Sequence, residues 1–130
     1  MAIHNNSKIG GLNIRIGCDI VEIKRFKNLG REPLHKIFHE SEIRNAKPET
    51  LAGLFAAKES CKKVFNQLRW HDILIQKLSG EKPVLRIQKP FLKNNLKMLS
   101  CDLSISHDRS YAIATAVFLI ADKGKRTGKS

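Results

Sequence analysis

Three short segments of this chain carry the residue types that phosphate chemistry needs. They are Asp19 within Ile16-Gly17-Cys18-Asp19-Ile20-Val21-Glu22, Glu59 and Lys63 within the run Phe55 to Lys63, and His107 within Leu103-Ser104-Ile105-Ser106-His107-Asp108. A carboxylate from a strand and another from a facing helix, with a lysine one turn further on, can hold Mg2+ and a pyrophosphate together. Magnesium suits such a pair because it takes few protein carboxylates and leaves the rest of its shell to phosphate oxygens and water. Each segment also has a plainer account. Asp19 can cap a following helix. Glu59 and Lys63, four residues apart, can be a surface ion pair worth about a few tenths of a kcal/mol. His107 can donate to a phosphate or close a turn.

The elements that must position these groups follow from hydrophobic period. Ile14, Ile16, Cys18 and Ile20 alternate as a strand that ends at Asp19. Val21, Phe26 and Leu29, with Lys24, Arg25 and Lys27 between them, predict a short basic helix stopped near Gly30. Short helical turns are expected around Leu34, Ile37 and Phe38 and again from Ser41. After Pro48, apolar residues recur every three or four positions with alanines between, which predicts a long helix over 49–67. Ile73 to Leu78 and Pro83 to Ile87 form a hairpin, a short amphipathic helix spans Gln88 to Lys97, and strands follow at Leu103–Ser106 and Tyr111–Ile120. The expected fold is α+β: one long central helix and short helices packed on a small antiparallel sheet. Residues 1–13 form a leader, 14–120 the single domain and 121–130 a basic, flexible tail.

The chain of 130 residues carries 24 Lys and Arg against 12 Asp and Glu, a net charge of +12, so its partners should be anionic. Nucleic acid, lipid headgroups, nucleotide phosphates and an acidic protein all meet that condition. A nucleic-acid interface needs exposed aromatics among the cations, whereas Phe26, Phe55 and Phe65 sit at core positions of their elements. Cys18, Cys61 and Cys101 are odd in number and in no CxxC spacing, against a disulfide framework or zinc site and in favour of a reducing cytoplasm. No run approaches the ~20 apolar residues that span a bilayer, so no membrane association is expected.

Taken in order, the segments resemble the holo-acyl-carrier-protein synthase family over about residues 14–119. The signatures are Gly17-x-Asp19-Ile20-Val21-Glu22, Leu51-Ala52-Gly53-x-Phe55-Ala56-Ala57-Lys58-Glu59 with Lys63, Arg69-Trp70-x-Asp72-Ile73, Lys82-Pro83, and Ser104-Ile105-Ser106-His107 followed by Tyr111-Ala112. The resemblance implies the 4′-phosphopantetheinyl transferase fold and transfer of phosphopantetheine from coenzyme A to a serine of apo-acyl carrier protein, for fatty acid biosynthesis. It implies Asp19 and Glu59 as Mg2+ ligands, Glu59 and Lys63 as catalytic groups, and Lys63, Lys82, Pro83 and His107 at coenzyme A. It further implies that Arg25 and Lys24 dock the acidic carrier and that the protein forms a homotrimer with sites between subunits.

The chain departs from the family pattern at four places. Leu54 stands where an arginine is usual, Phe65-Asn66-Gln67-Leu68 replaces a glycine-rich loop, Glu81 replaces a glycine and Asp108 a serine. Two other functions compete: a basic nucleic-acid-binding domain, and a carrier-binding module without catalysis. Neither needs Asp19, Glu59 and Lys63 together.

Overall fold

The computed structural model describes residues 11–77, 82–88 and 96–122. Strand β1 (Leu12–Glu22) is followed by a single 3-10 turn (Ile23–Phe26) and by the short helices α1 (Arg31–His35) and α2 (Glu40–Ile43). The long helix α3 (Pro48–Val64) leads through a second 3-10 turn (Trp70–Asp72) to β2 (Ile73–Gln76) and β3 (Val84–Ile87), and then to β4 (Leu96–His107) and β5 (Tyr111–Asp122). A three-stranded antiparallel sheet of order β1-β5-β4 carries α3 on one face, and β2-β3 forms a separate hairpin. The α+β architecture is the expected one.

Several boundaries moved, each for a local reason. β1 opens at Leu12 and runs to Glu22, because every residue in that span is paired with β5 from Ala121 to Tyr111. Asp19 is therefore inside the ladder; its side chain leaves the backbone bonds untouched. The basic helix predicted after it shrinks to the 3-10 turn: Val21 and Glu22 stay in the ladder with β5, and the Lys27 amide closes on Lys24 O at 3.2 Å. Helix α3 stops at Val64 because Phe65 turns inward and packs edge-on to Phe118 at 4.9 Å. Leu96, Lys97 and Met98 open β4 rather than closing a helix, and β4 and β5 outrun their predicted spans at both or one end. Phe91 and Leu92, the other anchors of that predicted helix, lie outside the described residues, as do positions 1–10 and 123–130.

Helix and sheet meet through small residues. Ala52, Ala56 and Ala57 of α3 and Ala112, Ala114 and Ala116 of β5 are all buried. A Cβ on Gly17 would overlap the Ser60 carbonyl and lie 2.9 Å from Val64 Cγ2, and one on Gly53 would lie 2.9 Å from Ile105 Cγ2. The helix thus crosses the sheet from the end of β4 to the middle of β1 with almost no clearance. Ser60 Oγ fastens the crossing by donating within reach of both Ala56 O, at 2.7 Å, and Ala114 O, at 3.0 Å. The opposite sheet face is apolar and open: Ile14, Ile16, Ile20 and Ile113 are 45%, 67%, 60% and 40% exposed.

Beneath α3 lies a buried ion pair. Lys58 Nζ is 2.9 Å from Glu42 Oε1, and both side chains are wholly buried. The ammonium also donates to the carbonyls of Ile37, Trp70 and Ile73, at 3.1, 3.1 and 2.7 Å. Glu42 in turn accepts from the amides of His39 at 2.7 Å and Ile75 at 2.8 Å. Removing one partner of such a pair strands the other charge, so Lys58→Met is expected to cost about 3–5 kcal/mol. Urea unfolding should also give the double variant Lys58→Met/Glu42→Leu a loss well below the sum of the two single losses.

Candidate active site

Asp19 shares the side of β1 on which Gly17 and Val21 are buried, the side that faces α3. The close approach at Gly17 brings the last turns of the helix directly over it. Lys63 Nζ donates to Asp19 Oδ1 at 3.0 Å and to Cys18 O at 3.0 Å. Asp19 is the shielded member of the pair, with a side chain 16% exposed against 56% for Lys63. Glu59 lies one turn earlier on the same stripe of α3, half-buried. The Asp19 hydrogen bond and charge, followed by the charge of Glu59, hold the Lys63 ammonium above the ordinary lysine pKa. Both carboxylates therefore act on one cationic centre.

Among the described residues no three His, Cys, Asp or Glu side chains cluster as a metal cage. A cation that takes two carboxylates and completes its shell from phosphate and water fits this pair, because the two acids already converge on one positive charge.

The remaining predicted site residues lie elsewhere on the chain. His107 ends β4 on the side that faces α3, and with Lys27, Arg109, Asp108 and Glu49 it lines a groove of about 510 Å³ at the start of the helix. Its register partner is Ala112, which is paired in turn with Val21, so β5 lies between His107 and the strand that carries Asp19. Lys82 is exposed and pairs with Asp102 of β4 at 2.8 Å, while Pro83 is half-buried immediately before β3. The β3 hairpin borders β4, where Cys101 Sγ reaches Leu85 O at 3.5 Å. One half of the expected site is thus on the β1 side of the sheet and the other on the β4 side, with α3 spanning the distance.

The basic turn after β1 is also ordered by contacts. Lys24 lies 3.6 Å from Glu22, and Arg25 packs over the Phe55 ring, 5.2 Å from its centroid. Leu54, at the position of the expected arginine, lines a second cleft of about 480 Å³ whose cations are Arg44 and Lys77. The sequence pattern gave no reason to choose those two among the many basic residues, because neither sits in a motif and only the folding of α2 beside β2 brings them together.

The 4′-phosphopantetheinyl transferase superfamily model matches residues 15–116. The holo-[acyl-carrier-protein] synthase of Wolinella succinogenes is 38% identical over 109 residues, covering 76% of this chain and 92% of that protein. The enzyme of the same name from Borrelia garinii subsp. bavariensis is 39% identical over 118 residues, covering 76% of this chain and 93% of its own length. Among solved structures, Helicobacter pylori holo-[acyl-carrier-protein] synthase in complex with coenzyme A superposes with a TM-score of 0.68 at 32% identity, covering 80% of this chain and 99% of that one. The Bacillus anthracis synthase in complex with coenzyme A (3′,5′-ADP) gives 0.64 at 27% identity, with 80% and 94% covered.

Replacing Asp19 by Asn removes the main support of the Lys63 charge. The raised pKa adds stability that is present below the ordinary value of 10.5 and is lost as pH climbs through the raised one. Asp19→Asn should therefore lower the Lys63 midpoint toward 10.5, as followed by NMR of the side-chain Nζ; an unmoved midpoint would separate the two groups.

Proposed function

The chain belongs to the 4′-phosphopantetheinyl transferase superfamily, and we propose that it transfers 4′-phosphopantetheine from coenzyme A to a serine of apo-acyl carrier protein through the Asp19–Glu59–Lys63 set. It is a transferase of the holo-acyl-carrier-protein synthase kind. The observation that supports the site is the convergence of two carboxylates on one lysine where α3 crosses β1.

In the reaction the carrier's serine oxygen attacks the β-phosphate of coenzyme A, the pyrophosphate bond breaks, and adenosine 3′,5′-bisphosphate leaves. Lys63 sits beside the pyrophosphate and offsets negative charge that grows on the leaving phosphate. Glu59 takes the serine proton, directly or through water. Asp19 and Glu59 would hold Mg2+, which when bound supplies Lewis-acid stabilisation of the phosphoryl oxygens. The groove at His107, with Arg109 and Lys27 beside it, and the segment at Lys82 and Pro83 take the nucleotide end of coenzyme A.

A homotrimer reconciles the separated halves. The Asp19 side of one copy meets the His107 side of the next, and the apolar outer face with Ile14, Ile16 and Ile20 is covered by neighbouring copies. Arg25 and Lys24 then face an acidic carrier in the cytoplasm, in fatty acid biosynthesis.

Incubation of apo-acyl carrier protein with this chain, coenzyme A and Mg2+ should add one phosphopantetheine to the intact mass, and a chelator should prevent it; absence of the gain would overturn the function. Asp19→Ala and His107→Ala should each lose activity alone. Mixed and reassembled in equal amounts they should recover about a quarter of the unaltered rate, because random assembly of a cyclic trimer leaves that share of interfaces with both halves intact. No recovery would place all the groups on one chain.

A further inference from the structure

Resting on the carrier-modifying function above, we propose that Lys62 and Trp70 form a second carrier-docking element, which with Arg25 brackets Glu59 and selects acidic carriers. Four side chains stack in a column. Arg25 packs over Phe55 at 5.2 Å, Phe55 stacks on Trp70 at 5.3 Å between ring centroids, and Lys62 Nζ lies 3.9 Å from the Trp70 centroid. The column starts on the turn that follows β1, passes through α3 and ends back on α3 three residues beyond Glu59. Phe55, Glu59 and Lys62 fall on one stripe of that helix, at spacings of four and three. Glu59 therefore lies between a cation fixed before it and a cation fixed after it.

Lys62 and Lys63 are adjacent but differ by about 100° around the helix axis. They take separate partners accordingly: Lys63 turns to Asp19, and Lys62 turns to Trp70. Among the described residues neither Lys62 nor Arg25 is paired with a carboxylate. An aromatic face holds a cation in place without neutralising it, which leaves the charge available to an incoming acid and reduces the ordering cost of docking. A carrier that offers a serine to Glu59 must cross this bracket, so acidic side chains on both sides of that serine are the matching chemistry. Coenzyme A, approaching the pyrophosphate end at Lys63, lies on the other side of the helix stripe.

Steady-state transfer measured with carrier and coenzyme A varied in turn tests this on the unaltered chain, Lys62→Glu, Lys62→Arg and Trp70→Leu. Lys62→Glu should raise the KM for carrier at least about tenfold while that for coenzyme A stays within about twofold, and Lys62→Arg, which keeps the ring contact, should restore it. Trp70→Leu should raise the carrier KM in the same sense by a smaller factor. An unmoved carrier KM, or a rise confined to coenzyme A, would overturn the docking role alone. Absence of transfer by the unaltered chain would overturn the function itself.

Discussion

The buried pair between Lys58 and Glu42 is the interaction on which the placement of everything else depends. It joins α3 to α2 by charge, and through its carbonyl and amide partners it also ties down the end of α1, the turn at Trp70 and strand β2. No charge can be left unmatched at that depth without a large penalty, so the five segments have one mutual arrangement rather than several. Burial lowers the pKa of Lys58, and Glu42 draws it back upward. Five residues along the same helix Lys63 is shifted in the opposite direction, by carboxylates in an open setting. The two lysines point to different sides of α3, one into the core as an anchor and one out to Asp19.

With the helix anchored in depth, small residues set its height above the sheet. The contact of Gly17 with the Ser60 carbonyl, and of Gly53 with Ile105, leaves no room for a side chain at either crossing point. That clearance fixes how far Lys63 must reach, and the 3.0 Å bond to Asp19 is its result. An extra methyl at Gly17 would lift the end of α3, and the effect would appear first at the Asp19–Lys63 contact.

Much of this was legible in the sequence because its causes are local. The three- and four-residue spacing after Pro48 gave α3, and the alternation around Ile16 gave β1. Asp19, Glu59 and Lys63 each had a plain account as a cap or a surface ion pair, and their order within the family resemblance set them together. The end of β1 was misjudged because an aspartate discourages a strand by itself, whereas the full ladder to β5 outweighs that preference. The helix after β1 was overestimated because its apolar spacing suits a helix equally well, whereas the distant strand β5 keeps Val21 and Glu22 extended and leaves room for a single turn. The partners of Lys58 were illegible for the same reason: a lysine inside an Ala-rich helix reads as surface until the segment that brings Glu42 beneath it is folded.

The separation of Asp19 from His107 follows from strand order and not from any local choice. With β5 between β1 and β4, residues of the two outer strands cannot approach more closely than two inter-strand spacings, about 9–10 Å, without breaking the ladder. On the side that both residues face, α3 packs on the sheet with no room for a Cβ at Gly17 or Gly53. In the proposed homotrimer, the β1 side of one copy would meet the β4 side of the next, and because the two surfaces differ, such a contact would be head-to-tail and would have to close into a ring to be finite. The same closure would cover the exposed isoleucines of the outer face. Under the proposed trimer, a fold that sets its two candidate half-sites on opposite outer strands would make assembly a condition of activity, with the proposed charge bracket around Glu59 left open to the carrier.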